Sequence, residues 1–221
     1  MDHSDHFAIS SVIRRVNFSE FVANKFKMTI WSIPQRHPFV FGVGITAIKT
    51  AGMDLIVQFV QKKGTDEEID KKRVLTFGLF GLAFNGAWQY ALYVKLMPMF
   101  LPNAFAFAAK PIKEKMKDIP GIKAVILQNF IENGINNQIL YFPCFYAVQA
   151  YVEGVENCFQ HGIAKYKKNW KEDLIAIWSV WVPAQAINFA FSPPWFRVPF
   201  VAVVSCLWTG IVSFMRGGQK N

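Results

Sequence analysis

The chain has 221 residues, 52% of them hydrophobic and 18% charged, with 22 Phe and 7 Trp. That length would serve one or two water-soluble domains, but residues 74–94, 133–152, 174–196 and 198–215 contain no Asp, Glu, Lys or Arg, and four such runs leave too little polar surface to cover them. The net charge of +9 lies in the tails and between the apolar runs, where it suits lipid headgroups; no nucleic-acid motif accompanies it, and no nucleic-acid partner is expected.

In chain order, residues 1–37 read as an N-terminal amphipathic or interfacial segment, with Phe18, Phe21, Val22 and Phe26 on one face. They hold no continuous apolar stretch of a secretory leader, and Asp2, Asp5 and Glu20 depart from a standard mitochondrial presequence, so targeting is expected to rest on internal signals. Pro34 and Pro38 mark a break. Residues 38–60 read as a first membrane helix despite Lys49 and Asp54, with Gly44, Ala47 and Ala51 as a small-residue stripe for close helix contact. Segment 61–73 should make a tight return, and 74–94 a second crossing. Pro98 and Pro102 should place 95–109 along the interface or in a broken helix.

Lys110, Lys113, Lys115 and Lys117 then form a basic segment suited to snorkelling at headgroups. A third helix starts at Ala124, includes Glu132 and runs through 152, followed by a mixed-charge loop over 153–173. Pro193, Pro194 and Arg197 split the last apolar region, 174–215, into two halves. The expected organisation is 1–37, a transmembrane helical domain over 38–215, and a tail over 216–221. The N-terminal segment carries net +2, residues 95–123 net +4 and the final six residues +2, against +1 for 61–73 and zero for 153–173. Four crossings would put the three most basic regions on one side; five would move the C-terminal tail across. The expected fold is therefore an all-α polytopic membrane bundle with four transmembrane helices plus an N-terminal amphipathic helix.

The polar residues inside these helices are the candidate site. A charged side chain at a helix centre costs roughly 2.5–3.5 kcal/mol to insert, so Lys49 and Asp54 should face protein or water rather than lipid. Asp54 and Gln58 share a face, as do Asn85 with Gln89 and Gln128 with Glu132; Gln185 and Asn188 recur later. Such faces, converging, would either line an aqueous path or act as polar glue between helices, and the same side chains satisfy both readings. No enzyme constellation accompanies them. The glycines form no nucleotide-binding pattern, Cys144, Cys158 and Cys206 read as small core hydrophobes, and His3, His6, His37 and His161 suggest no metal centre. No catalytic, cofactor-binding or metal-binding residue is expected.

The string Trp181-Val182-Pro183-Ala184-Gln185-Ala186-Ile187-Asn188-Phe189, followed by Pro193, Arg197, Trp208 and Ser213, resembles the signature of the Mpv17/PMP22 family of mitochondrial and peroxisomal membrane proteins. His37-Pro38, Asp54 and Gln58 resemble its first-helix pattern, Arg73, Gly86, Tyr93 and Leu96 its second region, and Gln128 a third position, so the resemblance covers about residues 31–215. The chain departs from the pattern at Met53 (usually Gly), Ala87 (usually Pro), Leu127 (usually Asp), Val182 inside a Trp-Pro pair, and Tyr90 and Leu92 at the His and Trp positions. This is the pattern of a divergent member.

The resemblance implies a four-crossing bundle in the mitochondrial inner membrane or, alternatively, the peroxisomal membrane, and relatives described as weakly selective channels for small solutes. On that basis Asp54, Gln58, Gln128, Gln185, Asn188 and Arg197 would line or gate a path for passive diffusion. The competing expectation is a non-catalytic accessory subunit of a large mitochondrial membrane complex, such as a respiratory complex or ATP synthase. Exposed aromatics, Phe105 and Phe107 among them, would then pack on neighbouring subunits. Expected partners are membrane lipids, anionic ones included, and other membrane subunits or further copies of the chain.

Overall fold

The computed structural model describes residues 32–217, with side chains up to Leu207. The chain divides into two units, Met1–Pro38 and Phe39–Asn221. Of the first, residues 32–36 are helical; the amphipathic face of Phe18 to Phe26, the histidines His3 and His6, the tail 216–221 beyond Gly217, and the side chains of Trp208 and Ser213 lie outside the described residues.

The second unit is helical throughout its described length, with no strand among the described residues. Helix α1 is Pro38–Gln61. Helix α2 runs over 71–100 without a break in helical backbone: α-helical Lys71–Phe80, wide π-turns at Gly81–Trp88 and Ala91–Leu96, and Met97–Phe100. Short helices α3, Asn103–Ala109, and α4, Ile112–Lys115, follow. Helix α5 covers 119–152, with a π stretch at Ile131–Tyr141 between α-helical Ile119–Phe130 and Phe142–Val152. Helix α6 is Cys158–Phe191, and a short 3₁₀ turn at Pro194–Phe196 leads into α7, Arg197–Gly217.

Two of the π stretches stop just before a proline, for a common reason. A proline ring clashes with the carbonyl four residues back and offers no N–H. Widening the preceding turn relieves the clash: the Met97 amide, next to Pro98, bonds Leu92, and the Phe142 amide, next to Pro143, bonds Asn137, each five residues back.

Helices α1 and α6 are each long and apolar enough to cross a membrane, and only 17% of the most apolar window of each is buried, unlike the core helix of a water-soluble protein. Large apolar side chains such as Ile48, Phe59, Leu79, Ile126, Ile139 and Ile175 are exposed, while Gln58, Gln128, Gln185, Asn188 and Arg197 are wholly buried. This is the reverse of a water-soluble domain and suits a hydrocarbon surround.

Three expectations need correction. Of the small-residue stripe on α1, Ala51 packs against Gly78 of α2, while Gly44 faces open space and the closest contacts are made by Gly42, Thr46 and Thr50. Val198 sits against Gly42, and Gly81 and Gly86 of α2 bring their backbone onto Thr46 and Thr50. The contact face is set by the partner's glycines, which a single-helix stripe does not reveal. Residues 158–173, expected as loop, are the first half of α6, and only 153–157 turns the chain, using left-handed Gly154 and Asn157. The charged stretch becomes helix because it packs on α5: Tyr166 stacks on Phe142 at 5.6 Å and the Tyr146 hydroxyl donates to Asp173 at 2.7 Å. Finally, Lys115 is buried rather than snorkelling, donating to the carbonyls of Ala108 and Lys110.

Candidate functional site

All ten candidate polar residues lie in the interior of the second unit, in three connected places. The first closes the α1–α2 return. Asp54 accepts from Arg73 Nε at 2.8 Å and from Gln58 Nε2 at 2.8 Å, and Gln58 also accepts from the Asp70 amide and donates to its carbonyl. The i,i+4 pairing of Asp54 with Gln58 holds, and the return is tight because Gln58 acts as a backbone partner to the loop. Asp70 in turn caps α2 by accepting from the Arg73 amide.

The second is a cavity of about 600 Å³ between α1, α2, α5, α6 and α7. Lys49, Asp54, Asn85, Gln89, Glu132 and Gln185 line it, with Asn136 and Asn137, and it extends to Gln149, Lys165 and Asn169 where α5 and α6 pair. One wall is aromatic: Phe80 stacks on Phe84 at 5.5 Å, Tyr141 on Phe145 at 5.9 Å, and Phe80 meets Tyr141 at 5.9 Å. Lys49 also lines the cavity, and its Nζ donates to Ser205 Oγ at 2.6 Å. Glu132 accepts from Asn136 at 3.1 Å and lies within hydrogen-bonding reach of Tyr93 and Gln89.

The third is a buried plug that adjoins that cavity through Gln89 and Gln185. The Tyr93 hydroxyl accepts from Gln185 at 2.6 Å and Gln89 at 2.9 Å. Asn188 donates to Gln185 Oε1 and to the Arg197 carbonyl. Arg197 Nη1 donates to Gln128 Oε1 at 3.1 Å and to the Tyr93 carbonyl at 3.3 Å. That carbonyl is available for a reason: the Met97 amide is committed to Leu92, and the next residue, Pro98, has no N–H. Arg197 has no carboxylate at ion-pair distance among the described residues; Phe105 instead covers its guanidinium, 4.6 Å from the ring centre. Phe105 is thus half-buried and Phe107 buried in the core, so neither is the exposed aromatic expected. Gln128 and Glu132 share a helix but serve different clusters, Gln128 the plug and Glu132 the cavity.

Of the residues in two further groups, Asn136 and Asn137 are marked in the sequence, as polar residues extending into the uncharged run 133–152, and the others are not. Asn129, Asn133 and Asn137 form a side-chain ladder, with Asn133 donating to Asn129 at 2.7 Å and Asn137 to Asn133 at 3.2 Å. Asn129 also reaches the Val182 carbonyl at 2.7 Å. Trp88 of α2 donates to Asn136 at 2.8 Å and Trp178 of α6 to the Asn133 carbonyl at 3.1 Å. The run Asn133, Asn136, Asn137 was the available signal, but its partners are set by the π stretch of α5, which shifts side chains off the 3.6-residue period.

The profile of the Mpv17 / PMP22 family matches residues 151–213, which hold Gln185, Asn188 and Arg197 of the plug. The Mpv17-like protein of Xenopus laevis is 24% identical over 85% of this chain and 81% of its own length. Peroxisomal membrane protein 2 of Bos taurus is 25% identical over 78% and 80%, and the mitochondrial inner membrane protein Mpv17 of Xenopus laevis 23% over 84% and 96%. Over these stretches the chain is similar to the Mpv17/PMP22 family. No solved structure matches it.

The positions that resemble the Mpv17/PMP22 pattern fall mainly into two of the three places. Asp54, Gln58 and Arg73 form the lock on the α1–α2 return, and Tyr93, Gln128, Gln185, Asn188 and Arg197 form the plug. The departures lie elsewhere: Met53 lines the cavity, Leu127 is exposed and Leu92 buried in the apolar core, and Tyr90 meets Phe39 edge-on at 5.3 Å. The chain thus matches the pattern at its interhelical hydrogen bonds and departs from it at residues around them.

Proposed function

We propose that this protein is a non-enzymatic, channel-like membrane protein whose path for small solutes is held shut, in the conformation described, by the Tyr93–Gln185–Arg197 plug. The observation that carries the reading is a cavity of about 600 Å³ with polar lining, enclosed by helices whose outer faces are apolar. Passage would be passive: a solute enters beside Asp54, Arg73 and Asp173, and the plug opens by exchange of hydrogen bonds rather than by chemistry. The relatives' names support the mitochondrial inner membrane, with the peroxisomal membrane as the alternative.

Helix register bears on the crossing count. Sequence favours four crossings, by α1, α2, α5 and the final apolar region. Gly42 faces Val198 and Lys49 faces Ser205, seven residues on in both helices, so α7 runs parallel to α1 and at its depth. That supports α7 as a fifth crossing, with the C-terminus opposite residues 95–123. The larger positive excess stays on the side of residues 95–123. At 34 residues, α6 is about 51 Å long and outreaches a hydrocarbon layer of about 30 Å, so its charged half would project with the end of α5.

Reconstitution in liposomes tests the reading. Uncharged solutes of graded size should enter, with the rate changed by Gln185→Leu and Asp54→Ala; flux unchanged in variants that stay folded and monodisperse would overturn it. Site-directed labelling from each side should find the C-terminal tail and residues 110–117 on opposite faces.

The accessory-subunit reading is favoured by one observation: Tyr151, Phe159 and Trp170 are exposed on the projecting α5–α6 hairpin, amid charged residues. Such aromatics suit a protein partner, another membrane subunit or a second copy. Isolation in mild detergent decides it: co-purification at fixed stoichiometry, lost on Phe159→Ser with Trp170→Ser, supports this reading.

A further inference from the structure

The cavity carries three cations on its lining, and they are not equivalent. Arg73 is paired with Asp54 at 2.8 Å, and Lys165 faces Glu153 at 3.6 Å. Lys49 bonds the neutral Ser205 hydroxyl and, among the described residues, has no carboxylate at ion-pair distance. The carboxylates of the lining are occupied elsewhere: Asp54 by Arg73 and Gln58, Asp173 by Tyr146, and Glu132 by Asn136, Tyr93 and Gln89. An ammonium has three donors, of which the Ser205 bond uses one. The same cavity is lined by the aromatic wall of Phe80, Phe84, Tyr141 and Phe145.

From this arrangement we infer that the cavity is a binding site for an organic anion with a planar apolar body, its carboxylate or phosphate held by Lys49 and its body against the Phe80–Tyr141 wall. The volume falls within the 300–1,000 Å³ typical of small-molecule sites, and a mostly apolar lining with one unneutralised charge is the pattern that orients such a ligand. An anion supplies the opposite charge that no described carboxylate places there, and a cation of the same shape meets Lys49 with like charge. The inference rests on the cavity being accessible, as in the proposed function, and names the class of solute it selects.

The test uses the full chain in lipid nanodiscs, with empty nanodiscs as reference, and isothermal titration of three probes of one shape: 1-naphthoate, 1-naphthylmethanol and 1-naphthylmethylamine. Naphthoate should bind at least tenfold more tightly than the alcohol, and the amine most weakly. Lys49→Met should abolish the preference, and Lys49→Arg should restore it. Equal or tighter binding of the amine, or naphthoate affinity unchanged in Lys49→Met, overturns the inference. If Lys49→Met does not fold, the ranking on the unaltered protein decides alone. No naphthoate binding, with neutral-solute flux intact in liposomes, removes this ligand class and leaves the channel reading standing.

Discussion

Arg197 of α7 donates to the carbonyl of Tyr93 on α2 at 3.3 Å, where Pro98 leaves that carbonyl without a helical partner. A defect in one helix is thereby completed by a side chain 104 residues away. The pair joins the polar interior to the break between the last two apolar segments.

Removing that side chain should be costly in a particular way. Arg197→Met strands Gln128 Oε1 and the Tyr93 carbonyl, each at about 1–3 kcal/mol. Unfolding in mixed micelles should show the loss, and Arg197→Met with Gln128→Leu should recover part of it, because the second change removes one stranded acceptor.

The Tyr93 hydroxyl receives two amide donors. Tyr93→Phe should destabilise the protein by about 1–3 kcal/mol, and Gln185→Leu should cost less in that background than alone. A coupling of about 0.6 kcal/mol, the average for such bonds in membranes, is the expected result of the double-mutant cycle. Strict additivity would contradict the contact.

The glycines of α2 and α1 should respond oppositely to a methyl group. At Gly81 an added Cβ would lie 2.8 Å from the Thr46 carbonyl and 2.5 Å from Thr50 Oγ1, whereas at Gly44 it meets open space. Gly81→Ala should lower stability by about 1–3 kcal/mol and Gly44→Ala should not, as thermal unfolding in detergent would register.

Asp118 offers a pH test outside the membrane. Its side chain accepts from Lys110 at 2.6 Å and from the Gly121 amide at 3.0 Å, capping α5. The Lys110 hydrogen bond first, and the Gly121 amide second, hold its carboxyl below the usual value. With a depressed folded pKa, the stabilisation is fully present above the ordinary carboxylate value and is lost as pH falls through the lower one. Hydrogen exchange at residues 119–123 should therefore be pH-insensitive in protection above that range and lose protection below it. Lys110→Gln should move the loss to higher pH.

Much of this architecture is legible in the residues themselves. The long apolar runs mark helices, two of which are long and apolar enough to cross a membrane, and Asp54 with Gln58 find one another because both lie on one helix, where spacing decides contact. What spacing omits is the partner helix: nothing near Asp54 points to Arg73, nor does anything near Gln128 point to Arg197. Gly44 looks suited to helix contact but lies off the face that Gly81 and Gly86 press upon. The charges of 158–173 resemble a loop until Phe142 and Tyr146 of α5 are set beside them. Lys49 is conspicuous as a charge in an apolar helix, while its place in one cavity with the aromatic wall depends on three helices at once.

The wide turns ahead of Pro98 and Pro143 set the azimuth of everything that follows them. Since one residue of an α-helix corresponds to about 100° of rotation, trimming a single position between 131 and 141 would swing Tyr146 away from Asp173 while leaving Gln128 and Asn129 in place. The two ends of α5 are thus phased against each other by the turn between them, and a length change that a loop would absorb becomes here a rotation of the outer hairpin.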